Sequence, residues 1–133
     1  MQTPNKKDPI KVLLVDHDAD FATSAKNCLK TQCNYQIESA SSVDEAFKKM
    51  DIEKPDAIVC DIQMPHTNGF EFLKKLRDKN NTIPFIVFTV TDDKQTALRA
   101  FSLGANGFVG KYGKPETIFA TLHKCIEKAI ENK

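Results

Sequence analysis

The feature that most constrains the fold is a pattern that occurs five times along the chain: a short apolar run, followed by a segment with apolar residues at helical spacing. The runs are short, and most of them are rich in β-branched residues without polar alternation, which predicts strands buried on both faces. The helical segments between them are typical of crossovers that join parallel strands. The sequence therefore predicts a doubly wound α/β domain: five parallel strands covered by five helices on both faces of the sheet. The runs cover residues 10–15, 35–40 (the weakest), 57–60, 85–88 and 107–109.

Residues suited to helix ends flank the helical segments. Asp, Ser and Pro are favoured at helix starts, and Gly is favoured just past helix ends. The fourth helix carries Ala97, Ala100 and Phe101, and Gly104 is placed to end it. The candidate starts are Asp18 or Asp20 for the first helix, Ser42 with Glu45 for the second, Asp92 or Asp93 for the fourth and Pro115 for the fifth.

Length and charge limit the function classes. The chain has 133 residues, enough for one domain, which we place at residues 10–131 after a flexible polar leader at 1–9. Lys and Arg number 19 against 18 Asp and Glu, so the net charge of +1 gives no basic field for direct nucleic-acid binding. The leader lacks the apolar stretch of a secretory signal, and no segment is long enough to cross a membrane. We expect a cytoplasmic protein with no membrane partner.

The four cysteines do not form a metal-binding or redox motif. No C-x-x-C pair is present, and Cys28, Cys60 and Cys125 lie within apolar periodic stretches. Reduced, mostly buried thiols are expected, and a zinc site is not.

Polar residues follow four of the predicted strands. They are Asp16, Asp61, Thr89 and Lys111. The carboxyl ends of parallel strands share one edge of the sheet, where such folds bind ligands, so these four side chains should converge. Clustered carboxylates recruit a hard cation such as Mg²⁺, and a lysine and a hydroxyl beside them suit phosphoryl transfer to a carboxylate.

Each of these residues also has an ordinary structural interpretation. A single Asp after a strand is more often a helix cap, and this is the favoured interpretation for Asp18, Asp20, Asp92 and Asp93. Thr89 alone could be a strand residue and Lys111 alone a solvated charge. Their joint occurrence at successive strand ends is what favours a functional site.

The same residues resemble the receiver domain of two-component response regulators, over roughly residues 10 to 131. The resemblance implies a flavodoxin-like sheet with strand order 2-1-3-4-5. It rests on Val12-Leu13-Leu14-Val15-Asp16, on Cys60-Asp61-Ile62-Gln63-Met64-Pro65 with Asn68-Gly69, on Phe88-Thr89, and on Gly104-Ala105-Asn106-Gly107-Phe108-Val109-Gly110-Lys111.

The resemblance also implies roles for individual residues. Asp61 matches the acceptor of a phosphoryl group from a histidine kinase or phosphotransfer domain. Asp16, Asp61 and the backbone carbonyl of Gln63 match ligands of Mg²⁺. Thr89 and Phe108 match the switch residues, and Lys111 matches the lysine that pairs with the phosphate. Such a domain is a signalling switch with self-catalysed phosphoryl transfer and slow autodephosphorylation, and it acts on a downstream partner that the sequence does not identify.

One departure from the family pattern concerns the metal. His17 stands where the second acidic residue is usual, and imidazole is a poorer Mg²⁺ ligand than a carboxylate. We therefore expect weakened Mg²⁺ affinity, with Asp18 or His17 as a further candidate ligand, or water in the vacant position.

Two alternatives remain open at the level of sequence. A pseudo-receiver, a protein-binding module without phosphorylation, is supported by His17. A haloacid-dehalogenase-type phosphatase is suggested by Asp16-x-Asp18 after an apolar strand, but no acidic pair follows Lys111 to complete its metal site.

Overall fold

The computed structural model describes residues 9–132, so the predicted leader lies outside the described residues except for Pro9. Strands and helices alternate throughout, and no helix in the described part is long and apolar enough to cross a bilayer. The strands are β1 (Ile10–Val15), β2 (Tyr35–Ala40), β3 (Ala57–Cys60), β4 (Phe85–Thr89) and β5 (Gly107–Gly110). The helices are α1 (Ala19–Lys30), α2 (Val43–Ile52), α3 (Gly69–Asp78), α4 (Lys94–Ser102) and α5 (Pro115–Glu131).

All neighbouring strands are parallel, and their order is β2-β1-β3-β4-β5. The chain thus reverses its direction of winding after β2, and helices cover both faces of the sheet. The predicted doubly wound, flavodoxin-like topology is confirmed. The register pairs Val15 with Cys60, so the residues that follow β1 and β3 leave the sheet side by side.

Two apolar cores lie on opposite faces of the sheet, because successive side chains of a strand point to opposite sides. In β1, Val12 and Leu14 pack in the core beneath α1 and α5, whereas Leu13 and Val15 pack beneath α2, α3 and α4. The central strands β3 and β4 are buried along their whole length. They form a rigid platform on which the polar residues at the carboxyl edge are held.

Side-chain caps fix several helix starts, and the structure chooses among the predicted candidates. Asp18 caps α1 by accepting a hydrogen bond from the backbone N–H of Phe21 at 3.0 Å. Asp93, not Asp92, caps α4 by accepting from the N–H of Thr96 at 2.7 Å, a bond that lowers the pKa of the Asp93 carboxyl. Gly104 follows α4 with a φ of 103°, a conformation that suits glycine.

Three details differ from the expectations. Phe101 on α4 is 49% exposed, because α4 turns Ala100 to the core and leaves Phe101 at the surface. Cys28 and Cys125 are only partly buried, although both pack against the core, and Cys60 is fully buried. Glu45 accepts from the N–H of Ser41 rather than that of the cap residue Ser42, and this bond lowers the pKa of Glu45.

Candidate phosphoryl-acceptor site

The site is built at the carboxyl edge of the sheet by the residues directly after β1 and β3. Asp16 donates its backbone N–H to the carbonyl of Ala40, and Asp61 donates to that of Val15, at 2.9 and 3.0 Å. These bonds continue the sheet ladder by one residue beyond each strand. The two carboxylates are therefore positioned by the sheet, and both residues are buried, with 3% and 7% of their surface exposed.

Lys111 lies between these two carboxylates. Its Nζ is 2.8 Å from Asp16 Oδ2 and 3.0 Å from Asp61 Oδ2, and only 8% of its side chain is exposed. The structure thus brings together the side chains of three of the four residues predicted to converge, and these three are up to 95 positions apart. One ammonium offsets only one of two carboxylates, so the cluster keeps a net negative charge that attracts a further cation.

Two aromatic rings complete the surroundings of the ammonium. Lys111 Nζ lies 4.3 Å from the ring centroid of Phe21 and 5.4 Å from that of Phe88, distances typical of cation–π contacts. The two rings also contact each other, with centroids 5.7 Å apart. Neither ring could be assigned to the site from the sequence, since each residue has the apolar spacing of an ordinary core residue in its own element.

The remaining carboxylate oxygens accept hydrogen bonds from nearby backbone. Asp16 Oδ1 accepts from the N–H of Asp18 at 2.9 Å, and Asp61 Oδ1 lies 3.4 Å from the N–H of Gln63. The longer contact leaves Asp61 Oδ1 the less engaged oxygen of the two. The Gln63 N–H faces Asp61, while the predicted role of the Gln63 carbonyl remains a prediction.

Gly69 lets α3 approach the acceptor loop closely. A Cβ at this position would stand 2.3 Å from the backbone oxygen of Asp61 and 3.1 Å from the Cα of Ile62. The Gly69 N–H donates to the carbonyl of Ile62 at 2.8 Å. Gly69 is therefore a packing requirement of the loop that carries Asp61.

His17 belongs to the acidic cluster, whereas Asp18 has another role. One donor atom from each of Asp16, His17 and Asp61 lies within 4.8 Å of the others. The oxygen donors suit a divalent cation such as Mg²⁺, and the imidazole departs from an all-oxygen set. The Asp18 carboxylate caps α1, which agrees with the structural interpretation of Asp18 and leaves the phosphatase alternative without its predicted acid.

Cys60 lies directly before Asp61, and its thiol is unreactive because it stays protonated. Burial, together with the negative charges of Asp61 and Asp16, raises the pKa of its thiol well above the ordinary value. The thiol donates to the backbone carbonyl of Asp61 at 3.1 Å. Cys60 therefore packs and supports the strand end as a neutral group.

Thr89 and Phe108 lie on the next two strands. Thr89 is fully buried, and its Oγ1 accepts from the N–H of Thr91 at 3.2 Å. The backbone N–H of Lys111 donates to the carbonyl of Thr89 at 2.8 Å, which ties the strand that ends near Lys111 to β4. Phe108 is partly buried and packs against the core beneath α2, α3 and α4. Their predicted switching role remains a prediction.

A shallow cleft lies beside the cluster, between the β1–α1 and β3–α3 loops. Its walls include His17 from the β1–α1 loop and Gln63 and Met64 from the β3–α3 loop. The cleft shares His17 with the cluster and borders the loop that follows Asp61.

The fold and the site together define a doubly wound α/β domain with a buried, lysine-bridged pair of carboxylates at its carboxyl edge. A family profile, described as the response regulator receiver domain, matches residues 12–123. The alkaline phosphatase synthesis transcriptional regulatory protein PhoP of Bacillus subtilis (strain 168) is 29% identical over 119 residues, which cover 90% of this chain and 49% of PhoP. The nitrate/nitrite response regulator protein NarL of Escherichia coli (strain K12) is 28% identical over 121 residues, which cover 90% of this chain and 56% of NarL.

A solved structure gives the same result. The chemotaxis response regulator CheY4 of Vibrio cholerae matches with a TM-score of 0.78 and 28% identity, over 89% of this chain and 99% of that one. The chain belongs to the response regulator receiver domain family, and the resemblance seen in the sequence is confirmed. Receiver domains are signalling switches of two-component systems that bind Mg²⁺ at an acidic pocket. The chain spans about half the length of the curated relatives it matches.

Proposed function

We propose that this chain is a phosphorylatable receiver that accepts a phosphoryl group on Asp61 from the phosphohistidine of a histidine kinase or phosphotransfer domain. The observation that carries the proposal is the buried Asp61 carboxylate held at 3.0 Å by Lys111, beside Asp16 and next to an open cleft that His17 and Gln63 line. The membership of the family supports it. The domain would act in the cytoplasm on a protein partner, with no direct contact to nucleic acid.

The transfer is a displacement at phosphorus. An oxygen of the ionised Asp61 attacks the phosphorus, a P–O bond forms, and the P–N bond breaks, with its electron pair returning to the donor imidazole. Lys111 lies where it can neutralise charge on the phosphoryl oxygens. When bound by Asp16, Asp61 and the Gln63 carbonyl, Mg²⁺ would supply further neutralisation of this charge.

The switch follows from added charge. The acyl phosphate carries about −2 at neutral pH in place of the single negative charge of the carboxylate. The Thr89 hydroxyl accepts from Thr91 and keeps its own proton for donation to a phosphoryl oxygen. A shift of Thr89 would pull on the β4–α4 loop, change the packing of Phe108, and alter the face formed by α4, β5 and α5. Slow hydrolysis of the acyl phosphate would reset the domain.

The test is the intact mass of the protein after incubation with a small acyl phosphate and Mg²⁺. One phosphoryl group is expected on the wild type, labile to alkali and hydroxylamine as an acyl phosphate should be. Asp61→Asn should abolish the adduct, and Asp78→Asn, which changes an exposed carboxylate on α3, should retain it. An adduct that survives Asp61→Asn would disprove the proposal, and a wild type that takes up no phosphoryl group from any acyl phosphate, with either Mg²⁺ or Co²⁺ present, would favour the pseudo-receiver alternative.

A further inference from the structure

The donor set at the acidic pocket is mixed. Asp16 and Asp61 offer carboxylate oxygens and His17 offers an imidazole nitrogen, and one donor atom of each lies within 4.8 Å of the others. The two carboxylates are buried, whereas His17 is exposed at the edge of the cleft. The imidazole is therefore the most accessible of the three donors.

The nitrogen donor changes which ions the pocket favours. Mg²⁺ is a hard ion that prefers oxygen ligands and gives up its water reluctantly, whereas divalent first-row transition ions bind imidazole well. We propose that His17 makes this pocket selective for a divalent transition ion that binds nitrogen well, such as Co²⁺ or Zn²⁺, over Mg²⁺. The inference deepens the proposed function, because it rests on the same pocket and names the class of ion that would support phosphorylation there.

The pocket needs only a small adjustment to hold such an ion. Bonds of about 2.1 Å place the most distant ligands of one ion about 4.2 Å apart, somewhat less than the longest separation of 4.8 Å observed here. The exposed His17 side chain can rotate and so change its distances to both carboxylates. Lys111 and the backbone N–H groups of Asp18 and Gln63 hold the carboxylates in place.

Lys111 favours the same conclusion. Its ammonium already neutralises one of the two carboxylate charges, so an entering ion gains less from charge alone than it would at a free acidic pair. The bond to the imidazole then contributes a larger share of the binding, and this share discriminates between ions, because Mg²⁺ gains little from a nitrogen ligand.

The experiment measures ion binding without any phosphoryl donor. Co²⁺ and Mg²⁺ affinities are determined by calorimetric titration at one fixed pH, and the absorption spectrum of bound Co²⁺ reports its ligands. The variants are His17→Ala, which removes the imidazole, and His17→Asp, which restores a carboxylate. The matched control is His66→Ala, because His66 is also exposed and lies in the neighbouring β3–α3 loop.

The quantity of interest is the preference for Co²⁺ over Mg²⁺, compared between variants. The ratio of Co²⁺ affinity to Mg²⁺ affinity should be at least about tenfold larger in the wild type than in either His17 variant. Loss of a residue that positions a metal ligand has an effect of this size. His66→Ala should behave as the wild type does. Equal preferences in the wild type and His17→Ala would overturn the inference, as would an equal loss in His66→Ala or a thiolate charge-transfer band that places the ion at a cysteine.

The outcome separates this inference from the proposed function. If the preference depends on His17 but neither Mg²⁺ nor Co²⁺ supports an adduct on Asp61, the ion selectivity stands and the proposed phosphorylation fails. If the adduct forms and the preference ignores His17, the phosphorylation stands and the selectivity is wrong.

Discussion

The Lys111 ammonium is held by two kinds of partner, and each compensates for a different part of its burial. The carboxylates of Asp16 and Asp61 provide opposite charge, and the rings of Phe21 and Phe88 provide a polarised face without competing for hydrogen bonds. A buried lysine without partners would carry a large desolvation penalty. The rings therefore fix the position of the ammonium over the acceptor as well as filling space.

A double-mutant cycle measures the contribution of Phe21. Phe21→Leu should destabilise the wild type by about 0.5–2 kcal/mol more than it destabilises Lys111→Met, because the cation–π contact exists only in the first background. Free energies of unfolding from urea denaturation give the coupling energy. Phe119→Leu is the control, since the ring of Phe119 packs on Phe21 at 6.1 Å and on Phe88 at 6.0 Å. A coupling energy for Phe21 no larger than that for Phe119 would show that Phe21 is simply a core residue.

At the residue scale, the sequence predicted which side chains meet wherever the path of the chain alone brings them together. Asp16, Asp61 and Lys111 follow strand ends, and a parallel sheet must bring such residues to one edge. Phe21 and Phe88 could not be assigned, because their contact with Lys111 depends on side-chain directions across three elements. The sequence left His17 and Asp18 open as the further candidate ligand. The structure separates them, because Asp18 caps α1 whereas His17 lies with Asp16 and Asp61.

At the scale of elements, β5 and α5 touch through a glycine. A Cβ on Gly107 would stand 2.2 Å from the Cys125 sulfur, so the helix lies against the strand at a distance that only glycine permits. Burial at this contact also raises the pKa of the Cys125 thiol. The position of α5 relative to the site therefore depends on this pair.

Gly107→Ala should cost about 1–3 kcal/mol of stability by overpacking. Cys125→Ala removes the sulfur that the new methyl group would meet, so the double variant should be more stable than the sum of the single effects by about 1–2 kcal/mol. Combining Gly107→Ala with Cys28→Ala, a change on α1 instead, should give simple additivity. Urea denaturation of the variants measures these values, and additivity for Cys125 as well would mean that the backbone shifts to relieve the contact.

Tyr35 of β2 and His123 of α5 link the far edge of the sheet to the last helix. The Tyr35 hydroxyl oxygen lies 2.6 Å from His123 Nδ1, and His123 Nε2 lies 3.3 Å from a carboxylate oxygen of Glu127. Burial, and to a lesser extent the charges of Cys33 and Glu127, raises the pKa of Tyr35 well above its ordinary value. The folded protein therefore keeps this hydroxyl protonated at a pH where the unfolded chain loses the proton.

This raised pKa makes the folded protein less stable at alkaline pH. Once the pH exceeds the ordinary tyrosine pKa of about 10, ionisation stabilises only the unfolded chain, and the folded protein loses stability. Tyr35→Phe should cost about 0.5–1.5 kcal/mol at pH 7 through the lost hydrogen bond and should lack this alkaline loss. The difference in the free energy of unfolding between variant and wild type, measured by urea denaturation, should therefore become smaller above about pH 10. Tyr112→Phe, at a position that is 61% exposed, should follow the wild type. A gap that stays constant with pH would contradict the assigned shift.

Element limits were largely predictable, and contacts between elements were not. Asp18, Ser42 and Asp93 start helices through local hydrogen bonds, which is why the sequence reveals them. Tyr35 and His123 are 88 positions apart, and nothing local indicates that they meet. The exposure of Phe101 was hidden for a similar reason, since the rotation of α4 about its axis is decided by the sheet on which it packs.

At the scale of the whole molecule, the two apolar cores contribute stability, and the polar edge of the sheet carries the groups that we expect to respond to phosphorylation. The buried strands β3 and β4 hold Asp61 and Thr89 from below, while the loops above the sheet carry the groups that can move. Thr89 joins the two parts, because its side chain contacts the β4–α4 loop and its carbonyl accepts from Lys111. A signal that starts at Asp61 and reaches α4 and β5 can therefore pass through Thr89.

Thr89→Ala should separate phosphorylation from the response of the molecule. The adduct on Asp61 should still form, because the hydroxyl is not the nucleophile, but backbone NMR shifts at Phe108, Tyr112 and α4 should change far less on phosphorylation than in the wild type. Thr89→Ser, which keeps the hydroxyl, should restore the shift changes. Thr91→Ala should behave as the wild type does, since Thr91 contributes its backbone N–H to Thr89 and this group survives the substitution. If Thr89→Ala and the wild type respond equally around Phe108, the coupling runs through Lys111 and its backbone bond to β4, and the hydroxyl is not the link.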